Sequence, residues 1–382
     1  MTDTQDEAVA GGPQEIGSDA GQETSSDQML CQCGPEEGKK QEKVGVTCPP
    51  EGQSCLAKAS PVARNGSCMF THLVPSYDEK FTHQTELSDI SDDEFNSGII
   101  PEKATFRDRC IQLLLFLVFF GWLRAIVLII MFVIYCVLMT PVLVFAYTKY
   151  RSYVTPPFIH LTRFFLRLSY FLLGFYYIKV NGTLDKRARL YVFNHQTVLD
   201  GPLLYIFRPF KVIGMIEMKK VPVFGRILVS VDTIFVDRSN NGAGMSHNIA
   251  NYLKGDANSR PLALAPEGKT TKGKFLLQFR TGAFLEPVPV QPVAIRYTEY
   301  LPYGKAGIVW AVGGFGEWLW RSLCLPMATI EMTYMPLIDN EEYLAMSPAD
   351  KAKHLNLIFA NQLGVQATNR SNRNLLQKRK AE

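Results

Sequence analysis

Residues 111–147 carry a single charge, Arg124, and residues 125–147 carry none. The uncharged part alone exceeds the roughly 20 apolar residues that cross a hydrocarbon core. A backbone in that medium must satisfy its own N–H and C=O groups, so the run has to be helical. Two arrangements meet this requirement. Residues 125–147 can span the bilayer once, or the whole run can bend into a re-entrant pair of helices, with Gly121, Arg124 or the Thr140-Pro141 step as the break. Lys103, Arg107 and Arg109 precede the run, and Lys149 and Arg151 follow it. Basic flanks on both sides favour two ends on the cytosolic face, hence a monotopic hairpin.

The chain before this run is of another kind. The apolar share of 47% is concentrated after residue 105, whereas the first hundred residues are rich in Gly, Ser, Gln, Asp and Glu and have no sustained period. Such a segment buries too little apolar surface to offset its chain entropy, so residues 1–105 are expected to be a disordered cytosolic tail. Its acidic stretch Asp89-Ile90-Ser91-Asp92-Asp93-Glu94 reads as a solvated run that places Ser88 and Ser91 among carboxylates. Cys31, Cys33, Cys48, Cys55 and Cys68 lack zinc-ligand spacing, the six histidines are scattered, and no metal is expected. The start carries no apolar signal core, so the cysteines are expected to stay reduced and the Asn-x-Ser/Thr sequons unused. A net charge of +4 gives no argument for nucleic acid.

After the apolar run, residues 158–178 place His160, Arg163 and Arg167 in one narrow stripe on an otherwise apolar helix. The expectation is a helix in the membrane interface with its cations on lipid phosphates. Strand-like runs then follow at 191–193, 212–216, 233–236, 261–265, 289–296 and 328–335, with helical patterns at 221–231 and 243–253. Strand and helix in alternation predict a three-layer α/β domain. The organisation expected is a tail over 1–105, membrane-embedded and interfacial helices over 106–178, a catalytic domain over 179–340, and a C-terminal helix with a basic tail over 341–382.

Candidate chemistry sits in Asn194-His195-Gln196-Thr197-Val198-Leu199-Asp200, directly after the apolar run Leu190-Tyr191-Val192-Phe193. Such a strand delivers the pair to its carboxyl end, where open α/β sheets place their sites. Residues five apart on one helix point in different directions, so contact between His195 and Asp200 requires a turn between them. Gly201-Pro202 supplies breaking residues there. A carboxylate on one ring nitrogen leaves the other free to take a proton from an alcohol, with no serine or cysteine nucleophile needed.

Three further blocks follow in order. Val221-Pro222-Val223-Phe224-Gly225 leads to Ile234-Phe235-Val236-Asp237-Arg238, then come Pro266-Glu267-Gly268 and Val288-Pro289-Val290-Gln291-Pro292-Val293. With the Asn-His-x-Thr-x-x-Asp block they resemble the four signatures of the glycerolipid (lysophosphatidic acid type) acyltransferase family. The stretches from Glu267 to Lys274 and Thr281-Gly282-Ala283-Phe284 look most like its lysophosphatidylcholine and lysophosphatidylethanolamine branch. Ala265 stands where an aromatic is usual and Lys269 where threonine is usual, departures that bear on the acceptor headgroup.

The resemblance implies acyl transfer from acyl-CoA, a co-substrate rather than a bound cofactor, to the free hydroxyl of a 1-acyl-lysophospholipid. His195 would be the general base and Asp200 its orienting partner. The resemblance assigns the acceptor to Arg238, whose planar fork suits a phosphate, and to Glu267 and Gly268. Glu267 is expected to hold an acceptor hydroxyl or to lock Arg238, and Lys269 adds a cation beside them. Lysophosphatidic acid as acceptor is the alternative within the class, and a catalytically inactive membrane adaptor the alternative outside it. Lys378-Arg379-Lys380 near the end resembles a cytosolic dilysine signal, which implies recognition by a retrieval coat. The expected location is the endoplasmic reticulum membrane with the catalytic domain in the cytosol.

Overall fold

The computed structural model describes residues 81–100, 103–145, 148–221, 224–230, 233–236, 243–256, 259–300 and 314–371. Side chains at 143, 151–155, 215, 224, 230, 236 and 243 fall outside the description. The residues ahead of 81, including the five tail cysteines, lie outside it, as do Pro222, Asp237, Arg238 and the C-terminal lysines.

The helices are α1 (Asp92–Ile99), α2 (Phe106–Val118), α3 (Gly121–Leu138), α4 (Thr140–Phe145) and α5 (Arg151–Leu172), followed by α6 (Asp200–Phe207), α7 (Phe224–Ser230), α8 (Ala243–Lys254), α9 (Phe315–Cys324), α10 (Glu341–Ala345) and α11 (Pro348–Leu363). The strands are β1 (Phe175–Asn181), β2 (Leu190–Phe193), β3 (Ile213–Met215), β4 (Ile234–Val236), β5 (Leu262–Leu264), β6 (Phe275–Leu276), β7 (Val290–Tyr300), β8 (Met327–Tyr334) and β9 (Gln366–Ala367).

A central sheet runs in the order β1-β8-β7-β2-β5, parallel except for the β7–β8 pair. The parallel pair β3–β4 continues it past β5, where the Lys211 amide donates to the Pro261 carbonyl at 2.8 Å. β2 lies in the middle and is buried on both faces, which explains its unbroken apolar sequence. Tyr191 and Phe193 pack into one core with Leu203 and Ile206 of α6 and Trp318 of α9. Leu190 and Val192 enter a second core with Ile249 of α8 and Leu355 and Phe359 of α11. The result is a mixed α/β fold with helices on both faces of a central sheet.

The apolar run is broken where two of the three candidate positions stand. Phe120 adopts a left-handed conformation at φ 55° immediately before Gly121, and α3 gives way to α4 at Thr140-Pro141. Gly121–Leu138 is the one helix among the described residues long and apolar enough to cross a membrane. Leu114, Ile129, Ile130, Phe132, Val133 and Val137 remain exposed on α2 and α3. Arg124 is not a break. It is buried, and its guanidinium donates to the Leu323 carbonyl at 2.7 Å and to the Leu325 carbonyl at 3.1 Å, satisfying the open end of α9.

Three other expectations change. The helix expected over 158–178 ends at Leu172, and after Gly174, at φ +94°, the chain enters β1 as an edge strand of the sheet. The α/β domain therefore starts ahead of residue 179, because Phe175 packs beneath the sheet instead of continuing a helical stripe. The half-buried Arg163 and the exposed Arg167 both reach the end of α6. Arg163 donates to the carbonyls of Ile206 and Phe207 at 2.8 and 3.2 Å, and Arg167 to Ile206 at 3.3 Å, so both close the C-terminus of α6. Unpaired carbonyls at a helix end are a stronger demand for donors than a solvated headgroup.

Finally, residues 81–100 of the expected tail are folded against the α/β domain. The acidic stretch opens α1, whose cap Ser91 accepts from the Glu94 amide, and the carboxylates complement the positive end of the helix. Ile90, Phe95 and Ile99 are buried with Phe275 and Leu277. Periodicity over one short helix is too brief a signal to set against the polar sequence around it.

Candidate active site

β2 ends at Phe193, and the next six residues form the turn into α6. Asn194 pins its start: its side-chain amide donates to the Ile295 carbonyl at 2.9 Å, and its oxygen accepts the Ile295 amide at 2.8 Å. The buried Asp200, first residue of α6, reaches back across the turn. Its Oδ2 lies 2.8 Å from His195 Nδ1 and accepts the main-chain amides of Gln196 and Thr197 at 2.8 and 2.9 Å. The turn that contact between the two residues requires is closed by the carboxylate itself.

The second carboxylate oxygen is also occupied. Tyr297, on β7, donates its hydroxyl to Asp200 Oδ1 at 2.6 Å, and Tyr170 of α5 donates to the Leu199 carbonyl at 2.5 Å. Burial, with the Asp200 charge adding to it, raises both phenols well above their ordinary range, so each remains a donor. With Asp200 at Nδ1, Nε2 is the ring nitrogen turned away from the carboxylate, and the His195 side chain retains 30% exposure. The arrangement can remove a proton from a hydroxyl brought to that face.

Glu267 lies behind the pair. It is 1% exposed, its Oε1 accepts the His195 amide at 2.8 Å, and its Oε2 accepts the Leu277 amide at 3.3 Å. Burial pushes its pKa up to about 7, against the pull of those two amides and of the His195 ring. The described hydrogen-bond partners of Glu267 are thus main-chain amides beneath the turn between β2 and α6. Thr271 completes the hold on His195, donating its amide to the His195 carbonyl at 3.0 Å.

Gly268 follows at φ +68°, and a Cβ there would come within 2.6 Å of Arg280 Nε. Glycine is required by both the conformation and the close approach of the guanidinium. Lys269 follows, partly exposed, on the same loop. His195, Asp200, Glu267 and Gly268 are therefore brought together, while Arg238 lies outside the described residues. Sequence reasoning missed Tyr297 and Arg280. Tyr297 continues the alternation of Val293 and Ile295 on the α6 face of β7, and Arg280 immediately precedes Thr281-Gly282.

Residues 178–296 match the sequence family described as Acyltransferase. This segment is an acyltransferase-family domain. It holds every site residue named above except Tyr170 and, by one position, Tyr297. The chain resembles human lysophospholipid acyltransferase LPCAT4, 30% identical over 209 residues that make up 53% of this chain and 39% of that protein. It also resembles human lysophosphatidylcholine acyltransferase 1, 26% identical over 211 residues, 53% of this chain and 38% of that protein. The matches thus span about two fifths of the length of these relatives. Among solved structures, the 1-acyl-sn-glycerophosphate acyltransferase PlsC of Thermotoga maritima aligns with a TM-score of 0.46 at 17% identity, over 67% of this chain and 96% of that one.

Proposed function

We propose that the protein transfers a fatty acyl group from acyl-CoA to the free hydroxyl of a 1-acyl-lysophospholipid, with lysophosphatidylcholine or lysophosphatidylethanolamine as acceptor. The observation that carries this reading is the His195–Asp200 contact at the carboxyl end of β2, on a histidine whose side chain is 30% exposed. In the step proposed, Nε2 takes the acceptor hydroxyl proton as the oxygen attacks the thioester carbonyl. The imidazolium so formed is stabilised by Asp200 and returns the proton to the leaving CoA thiolate. Arg280 beside Gly268, with Arg238 and Lys269, supplies cations for the acceptor phosphate.

Membrane attachment follows from the exposed apolar surfaces of α2 and α3, entering one leaflet as a hairpin. Residues 81–100 precede that run and the α/β domain follows it, yet the two are packed together. Both ends of the run must then lie on one side of the bilayer, which argues against a single span. The cytosolic face of the endoplasmic reticulum, with the C-terminal lysines read by a retrieval coat, is the location proposed.

Assaying isolated membranes with one labelled acyl-CoA and a panel of lysophospholipids tests the reaction. Transfer to lysophosphatidylcholine or lysophosphatidylethanolamine that is lost in His195→Ala is the expected result. Selective transfer to lysophosphatidic acid would replace the acceptor. Absence of transfer to every acceptor would favour an inactive adaptor.

A further inference from the structure

Two neighbouring main-chain amides in the loop between β5 and β6 face opposite ways. Thr271 donates to the carbonyl of His195 at 3.0 Å, and Lys272 donates to the carbonyl of Gly98, in α1, at 2.8 Å. The loop thus lies between the catalytic turn and a helix from the N-terminal segment. A second route joins the same two places. Phe95 of α1 stacks on Phe275 with ring centres 6.0 Å apart, and Leu277 shares their buried cluster. The Leu277 amide donates to Glu267 Oε2, whose other oxygen holds the His195 amide.

The helix is fitted to this loop, not merely laid beside it. A Cβ on Gly98 would come within 2.3 Å of the Phe275 ring, so the helix approaches as closely as glycine permits. Its leading end is tied down separately. Ser88 donates to the Ala367 carbonyl at 2.8 Å and accepts the Asn369 amide at 3.0 Å, beside the β6–β9 pair. Arg370 lies 5.5 Å over the Phe95 ring and pairs with Asp89 and Asp92.

We propose that α1 is a positioning element for the catalytic turn, acting on His195 through the loop from Glu267 to Leu277. His195 is held by this loop at both its N–H and its C=O, so the direction of Nε2 depends on where the loop rests, and the loop rests on Phe95 and Gly98. This inference builds on the acyl-transfer reading and gives the N-terminal segment a part in it.

The test uses the full-length protein in membranes and compares wild type with Phe95→Ala and Phe95→Leu. Three quantities are read: hydrogen exchange over residues 271–277, the rate at which diethyl pyrocarbonate modifies His195, and kcat with KM for both substrates. Phe95→Ala should speed exchange at Thr271 and Lys272 and alter the modification rate. It should lower kcat by about tenfold to a hundredfold while each KM stays within about twofold, as expected for misplaced groups rather than lost binding. Phe95→Leu should recover most of the loss. Faster exchange with unchanged kcat, or exchange confined to α1, would overturn the proposal.

If Phe95→Ala fails to accumulate, the double substitution Asp89→Asn with Asp92→Asn loosens the Arg370 clasp and the charged start of α1 without touching its packing on Phe275, and should give a smaller change of the same sign. No change in exchange at 271–277 would then count against the proposal. Should the wild type transfer no acyl group, the exchange and modification arms still decide the link between α1 and His195, separately from the reaction.

Discussion

Tyr297 donates to the Asp200 oxygen that His195 leaves open, at 2.6 Å, so the carboxylate is fixed from both ends. A hydrogen bond to a charged group is worth about 1.5–3 kcal/mol, and removal of one that orients the base should appear in turnover. Tyr297→Phe keeps the packing and should reduce kcat by about tenfold with little change in either KM, measured by steady-state kinetics.

His195→Ala should lower kcat by about 100-fold to 10,000-fold, the usual worth of a general base. Asp200→Asn should be severely impaired too, since an amide cannot stabilise the imidazolium. The pair acts as one unit, so the double variant should be little worse than His195→Ala. Mass spectrometry of enzyme incubated with acyl-CoA alone should find no acyl-enzyme.

The pH dependence of stability should carry the mark of Glu267. Its ordinary value of 4.5 rises to about 7 in the folded chain, so between those limits the folded state holds more of the proton than the unfolded one. Stability from this group is fully present below pH 4.5 and is lost as pH climbs through 7. Thermal unfolding of Glu267→Gln across that window should slope less steeply downward than that of the wild type.

Gly268→Ala combines a positive φ with contact on the Arg280 guanidinium. We expect destabilisation of about 1 kcal/mol or more and a raised acceptor KM, with the acyl-CoA KM less affected. Thermal melts and separate substrate titrations would distinguish the two effects.

Protease added to sealed microsomes should cut both before residue 100 and within the α/β domain. Protection of either region, relieved by detergent, would contradict the hairpin.

Much of the α/β core could be read from the chain because β2, β5, β7 and β8 are short apolar or alternating runs with breaking residues around them. The His195–Asp200 contact was legible for a similar reason, since a strand, a fixed spacing and Gly201-Pro202 leave few geometries. Other features depend on partners remote in sequence. Nothing local marks Tyr297 as the residue on Asp200, or distinguishes Arg163 closing α6 from an arginine on lipid phosphate. Glu267 was legible as a site residue, but not as one turned beneath the His195 main chain.

Arg124 gives the apolar helices a second significance. Its guanidinium, carried by α3, closes the carbonyls at the end of α9, while β1 borders the sheet before residue 179. The α/β unit is consequently not detachable at residue 178. A fragment begun there would lose the start of an edge strand, strip α9 of its donors and bare the core around Phe175. Solubilisation should therefore retain α3 and accept detergent as part of the particle.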